Sequence, residues 1–222
     1  MHSHSHSHET PAQTEGRLIR WASFYDAFTT LLTLGHAGKL RTMTVDLAQL
    51  KLGEKILDVG CGTGGVTIPA KQRVGSNGQA AGIDPAPEMI AVASKKAARA
   101  GLEIDFRVGV IESLPYPDAS FDVVTSSLMM HHLPHEVQVK GFAEIRRVLK
   151  PGGRIFIADM LRLSKSLHDR LFATLTFHGG RVDRFGIQDL QKKLEEAGFE
   201  NVQLLDESIL TIGFLRAIKP TH

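Results

Sequence analysis

Ile56-Leu57-Asp58-Val59-Gly60-Cys61-Gly62-Thr63-Gly64-Gly65 opens as an apolar strand, runs into a carboxylate and then turns on glycines spaced G-x-G-x-G. A turn of this kind needs residues without a Cβ, because the backbone must reverse sharply and lie against a ligand. The helix expected next aims its first unpaired N–H groups at the same spot. Together these features predict a nucleotide-type pocket. Glycine-rich turns serve dinucleotides as well as adenosyl cofactors, and the neighbouring acids bear on which of the two is held. Asp58 stands just before the first glycine, where a dinucleotide fold more often has an apolar residue, and a carboxylate there repels a pyrophosphate and suits a cation. Asp84 closes the next apolar run, Ala80-Ala81-Gly82-Ile83, about where an acid that takes ribose hydroxyls is expected. Two acids and no phosphate-seeking lysine suggest a ribosyl ligand with a positive head.

Three further stretches follow in order: Ile83-Asp84-Pro85-Ala86-Pro87-Glu88-Met89, Ser113-Leu114-Pro115-Tyr116-Pro117-Asp118-Ala119-Ser120-Phe121-Asp122, and Arg147-Val148-Leu149-Lys150-Pro151-Gly152-Gly153-Arg154. With the glycine motif they make the chain, over roughly residues 17 to 218, resemble the class I S-adenosylmethionine-dependent methyltransferases. The resemblance implies S-adenosyl-L-methionine as cofactor. Gly60, Gly62 and Gly64 would line its methionine and ribose, Asp58 would sit near the ammonium, Asp84 would hold the ribose and Met89 would lie near the adenine. Cys61, Thr63, Pro85, Val110, Ile111 and Ser126 are the further cofactor-facing positions, although the family often has an acid or amide where this chain has Val110. Tyr25-Asp26 followed by Leu34-Gly35-His36 also resembles the leader of the ubiquinone/menaquinone C-methyltransferases. That match is partial. Thr29, Leu40 and His131-His132 stand where those enzymes have Asn, Trp and Arg-Asn.

Composition bounds the reading. The 222 residues make one domain of ordinary size, with 42% hydrophobic and 23% charged residues. A formal net charge of +2, with no dense run of Lys and Arg, disfavours nucleic acid as a partner. The single cysteine, Cys61, permits no internal disulfide and argues against thiol-dependent metalloid methylation, which needs several. No apolar run reaches a membrane span, so the expected address is the cytoplasm.

Residues 1–16 read as a His-rich flexible leader, in which His2, His4, His6 and His8 either chelate a transition metal or serve as a tag-like tract. Residues 17–222 form the methyltransferase domain. Leu18, Trp21, Tyr25, Phe28 and Leu32 recur at helical intervals, and a second helix is expected over Leu40 to Leu50, so 17–50 form an N-terminal helical cap. Pro69 predicts a late start or a kink in the helix after the glycine turn. Strands are expected over Ile104 to Val108, Phe121 to Ser127 and Ile155 to Ala158, with helices from Pro87 to Arg99 and from Pro134 to Leu149. The stripe Leu167, Leu171, Thr174, Leu175 and Phe177 lies in an inserted cap, 161–185, for which a membrane-surface helix is the alternative reading. A helix over Ile187 to Ala197 and strands over Val202 to Leu205 and Ile209 to Ile218 complete the chain. The fold class is α/β, a Rossmann-like, mostly parallel seven-stranded sheet with helices on both faces and an antiparallel edge strand.

Methyl transfer from a sulfonium chiefly requires that the protein align a nucleophile and exclude water. An O- or C-nucleophile also has to lose a proton, for which histidine is suited. His131 and His132, beyond the fourth strand, and His178, in the cap, are the candidate bases. His132 is preferred, because neighbours in an extended segment face opposite sides and His131 would then point away. Tyr25 and Asp159 are the candidate substrate contacts. The leading reading is methyl transfer to a small, partly apolar acceptor through an O-, C- or N-nucleophile. Lipid head-group N-methylation at a membrane surface, a cofactor-binding regulator without turnover, a metal-responsive protein and a dinucleotide oxidoreductase are the alternatives.

Overall fold

The structure is a computed structural model describing residues 35–161 and 186–222. In order its elements are α1 (Ala37–Leu47), β1 (Lys55–Val59), α2 (Thr67–Val74), β2 (Gln79–Asp84), α3 (Pro87–Arg99), β3 (Asp105–Val108), β4 (Phe121–Ser127), a 3₁₀ turn (Met130–His132), α4 (His135–Val148), β5 (Leu149–Met160), α5 (Ile187–Glu196), β6 (Glu200–Ile209) and β7 (Ile212–Ile218). The seven strands form one sheet in the order β3-β2-β1-β4-β5-β7-β6. Strands β1 to β5 pair in parallel, and β7 runs antiparallel to both β5 and β6. This is the Rossmann-like sheet expected from the alternating pattern, with its antiparallel element towards one edge. The strand order reverses between β1 and β4, and in such sheets ligands bind outside the carboxyl ends of the strands at that point.

The central strands are apolar on both sides because both faces are covered. On one face Leu57, Val59, Val124, Ile155 and Ile157 pack with Phe142, Ile145 and Val148 of α4 and Ile187, Leu190 and Leu194 of α5. On the other, Ile56, Val123, Phe156 and Phe214 pack with Leu40 and Val45 of α1 and Ala70 and Val74 of α2. Arg154 of β5 ties the end of α1 to the sheet: its guanidinium donates to the carbonyls of Ala48 (2.9 Å) and Gln49 (2.7 Å) and pairs with Glu54 at 2.8 Å.

Element boundaries differ from the sequence pattern where local chemistry allowed more than one register. Helix α2 starts late, at Thr67, which leaves Pro69 in the first turn where no backbone N–H is needed. Helix α1 lies earlier than Leu40 to Leu50. Strand β5 starts directly after α4, pairing Leu149 with Phe121, and its register shifts before Val123 meets Arg154. The expected Ile155 to Ala158 is its middle. Asp206-Glu207-Ser208 has turn-like composition yet belongs to β6, whose outer position leaves those residues exposed and free of any burial cost. The chain reverses instead through Leu210 and Thr211. The leader 1–16, the cap helix expected over 17–34 and most of the inserted cap lie outside the described residues. No described helix is long and apolar enough to cross a membrane.

Candidate active site

Strand β1 delivers Asp58 to the switch point, and the backbone then folds back on the end of β2. The N–H groups of Gly60 and Cys61 both donate to the Ile83 carbonyl at 2.9 Å. Gly60 has φ +75°, and a Cβ there would lie 2.5 Å from Met129 Cγ. Glycine is therefore required both by the left-handed backbone and by the side chain laid over it. The Asp84 carboxylate accepts from the Gly62 N–H at 3.0 Å and from the Ala86 N–H at 2.9 Å, joining the glycine turn to the start of α3. Burial raises its pKa, against those two bonds.

Asp58 is 1% exposed. Thr67 Oγ1, from the first residue of α2, donates to its Oδ2 at 2.6 Å, and Thr125 Oγ1, from β4, donates to its Oδ1 at 2.9 Å. Burial nonetheless pushes its pKa up to about 6, the two threonine bonds oppose this and the nearby Asp84 charge adds to it. Two like charges thus share a buried turn, a costly arrangement that a cationic ligand relieves. Cys61 is buried in the same turn, and burial lifts its thiol well above the usual range.

The remaining positions singled out in the sequence sit around this turn. Thr63 is buried, Met89 packs with Ala86 at the start of α3, and Pro85 is half-buried. Val110 and Ile111 are buried, and Val110 bridges to Ser113 in a tight loop after β3. Ser126 is buried near the end of β4, its hydroxyl without a hydrogen-bond partner among the described residues.

After β4 the chain takes a left-handed step at Leu128, φ +54°, whose N–H donates to the Ala158 carbonyl at 2.8 Å. Met129 then lies against Gly60, and Met130–His132 form the 3₁₀ turn. The segment is coiled rather than extended, so the argument that His131 and His132 face opposite sides does not apply. Their ring centroids are 3.9 Å apart. His131 Nδ1 lies 2.5 Å from Asp159 Oδ1. The same carboxylate accepts from the backbone N–H of Met160 at 2.7 Å and of His131 at 3.3 Å. With backbone donors on both oxygens, Asp159 acts as the acceptor towards the ring as well, which places a proton on Nδ1. Gln138 of α4 clamps the turn, its Nε2 donating to the Met130 carbonyl at 2.8 Å and the Leu133 carbonyl at 3.1 Å while its Oε1 accepts from Lys193.

Tyr25, His178 and His2, His4, His6 and His8 lie outside the described residues. Among the described residues there is no cluster of three or more His, Cys, Asp or Glu that could hold a metal. Sequence reasoning missed the threonines that hold Asp58, the pairing of His131 with Asp159, and Gln138. Thr125 carried a weak signal, as the first polar residue after the apolar pair Val123-Val124 of β4. Gln138 carried none that helical periodicity would expose.

Comparison with known proteins agrees with this geometry. A family model described as a methyltransferase domain matches residues 56–153. The demethylmenaquinone methyltransferase of Lactobacillus johnsonii is 32% identical over 204 residues, 82% of this chain and 83% of that protein. An arsenite methyltransferase of Halobacterium salinarum is 36% identical over 164 residues, 72% of this chain but only 41% of that longer protein. A methyltransferase structure from Aquifex aeolicus superposes with a TM-score of 0.70 at 22% identity, covering 87% of this chain and 97% of that one, and shares the fold. The chain belongs to the class I S-adenosylmethionine-dependent methyltransferases, enzymes that use S-adenosyl-L-methionine and fold as this sheet does. Within that class it is related to the ubiquinone and menaquinone C-methyltransferases.

Proposed function

We propose that the chain methylates a small, partly apolar acceptor whose nucleophile must lose a proton, and that His131 takes that proton. The observation that carries this reading is the His131–Asp159 pair at the rim of β4 and β5, on the turn that begins with Met129 against the glycine motif. A neutral imidazole whose Nδ1–H is held by a carboxylate presents Nε2 as a base, and the carboxylate stabilises the imidazolium that forms. Gln138 keeps the turn in place through its two carbonyl contacts. His132, its ring tilted against that of His131, is the neighbouring candidate.

The glycine turn fits the family's cofactor, because its two buried acids call for a cationic ligand with hydroxyls to bind. Asp58, Asp84, Gly60, Gly62 and Gly64 are its proposed holders, with Cys61, Thr63, Pro85, Met89, Val110, Ile111 and Ser126 around them. Bound there, it supplies an electrophilic methyl group. Met129 and Leu133, both half-buried, put apolar surface beside that position, which suits an acceptor with an apolar body. Residues 17–50 and 161–185 are proposed as the caps that exclude water, with Tyr25 and His178 as further acceptor contacts, and the cytoplasm as the working compartment. A hydroquinone is the acceptor class we favour over arsenite, since the only thiol, Cys61, is buried and held protonated.

The test supplies methyl-labelled S-adenosylmethionine with a panel of phenols, catechols, hydroquinones and amines, to the wild type, His131→Ala and His132→Ala. Label should enter a hydroxylic or hydroquinone acceptor, and His131→Ala should lose about 10²–10⁴ in turnover with cofactor affinity unchanged. Label entering amines alone, or full activity in His131→Ala, would remove the base from the mechanism.

A further inference from the structure

We infer that Lys193 is a positioning residue, which acts through Gln138 to hold the 3₁₀ turn so that His131 meets Asp159. Gln138 stands in the first turn of α4 and is 1% exposed. Both N–H groups of its amide are committed to the turn, at 2.8 Å to the Met130 carbonyl and 3.1 Å to the Leu133 carbonyl. Its Oε1 accepts from the ammonium of Lys193, on α5. Helix α5 is itself fixed, because Ile187, Leu190 and Leu194 are fully buried in the core that they share with Phe142 and Ile145 of α4.

A glutamine amide can be turned end for end with little change of shape, so its neighbours decide which end meets the turn. Carbonyls only accept, and an ammonium only donates. With Lys193 on one side and two carbonyls on the other, one orientation makes three hydrogen bonds, whereas the flipped one sets oxygen against both carbonyls and N–H against the ammonium. Lys193 therefore selects the orientation that grips the turn. It reaches inward at a cost, since burial lowers its pKa, against the neighbouring charges of Asp189 and Glu196. Lys192, exposed in its pair with Glu196, bears no such cost. The backbone N–H of His131 is bonded to Asp159 as its ring is, so a shift of the turn moves both against the carboxylate. The consequence for methyl transfer rests on His131 being the base, and the consequence for the His131–Asp159 pair does not.

The experiment reads the His131 ring in the full chain by proton–nitrogen correlation spectra of isotopically labelled histidine, at a pH where the ring is neutral, with His131→Ala to assign its signals. The wild type should carry its proton on Nδ1. Lys193→Met, which keeps the stem and removes the donor, should release the ring to a mixture of both tautomers, and Lys193→Arg, again a donor, should restore the wild-type state. Turnover should follow, with kcat about 10–100-fold lower in Lys193→Met, the KM for S-adenosylmethionine unchanged and most of the loss recovered in Lys193→Arg. In a Gln138→Leu background Lys193→Met should add nothing. Lys193→Ala replaces Lys193→Met if the latter does not fold. A wild-type tautomer in the folded variant, or losses from the two substitutions that simply add, would make Lys193 structural and overturn the assignment. A wild type with its proton on Nε2 would remove the His131–Asp159 pair, and the assignment with it. Full turnover in His131→Ala would instead remove the base, and the tautomer alone then decides on Lys193.

Discussion

Replacing Asp58 by Asn should stabilise the ligand-free protein at neutral pH. Burial moves this carboxyl from an ordinary value of 3.8 up to about 6. The folded state therefore binds the proton more tightly than the unfolded state does, and keeping the group ionised costs stability. The cost is absent below the unfolded value, grows as pH rises from about 4 to about 6, and is complete above that. Two pH units at about 1.36 kcal/mol each put it on the order of 3 kcal/mol. Asn removes the charge but weakens one of the two threonine bonds, at about 1 kcal/mol. The net gain at about pH 7.5 is then ~1–2 kcal/mol; it should shrink as the pH is lowered, pass through zero between about pH 4 and 5, and reverse to a deficit of about 1 kcal/mol below that, where only the weakened hydrogen bond remains. Urea unfolding of both proteins across that range isolates the difference, because every other titrating group is common to the pair. A variant less stable than wild type at neutral pH, or a gap that does not change with pH, would refute the reasoning. The same variant should bind S-adenosylmethionine more weakly, since it deletes a negative charge beneath the cofactor's positive one.

Three other perturbations probe the site. Gly60→Ala should cost about 1–2 kcal/mol for the left-handed backbone and a further ~1–3 kcal/mol for collision with Met129; adding Met129→Ala should restore only the second part in a double-mutant cycle. Gln138→Leu should lose about 1–3 kcal/mol by leaving the Leu133 carbonyl unpaired, and lower turnover while calorimetry shows unchanged cofactor affinity. Asp159→Asn removes the charge that supports an imidazolium at His131, so turnover should fall by less than in His131→Ala; an undiminished rate would dissociate Asp159 from the proton transfer.

The sheet was legible because its signals are local: an apolar run, an acid, glycines, then a helical period, repeated. Asp58 and Asp84 could be placed at strand ends for the same reason, as each closes its own apolar run. What holds them could not. Thr125 reaches Asp58 only because β4 pairs with β1, and His131 reaches Asp159 only because β4 pairs with β5. The preference for His132 rested on an extended segment, and the left-handed step at Leu128 followed by a 3₁₀ turn replaced it. Leucine carries no signal for that conformation. Strand ends in β6 and β7 were misjudged for the converse reason: an exposed outer strand tolerates the polar residues that usually mark turns.

The position of β7 bears on how the protein is made. Strand β6 touches the sheet only through β7, so it has no place to dock until Ile212 to Ile218 have been synthesised. Until then β5 presents its backbone donors and acceptors along an open flank, apolar from Ile155 to Ala158. Such an edge is a template for pairing with any neighbouring strand, including one from another nascent copy. A ribosome stalled before Ile212 would therefore release a chain whose methyl-transfer half is built but sticky, and a frameshift in that short stretch would cost two strands at once.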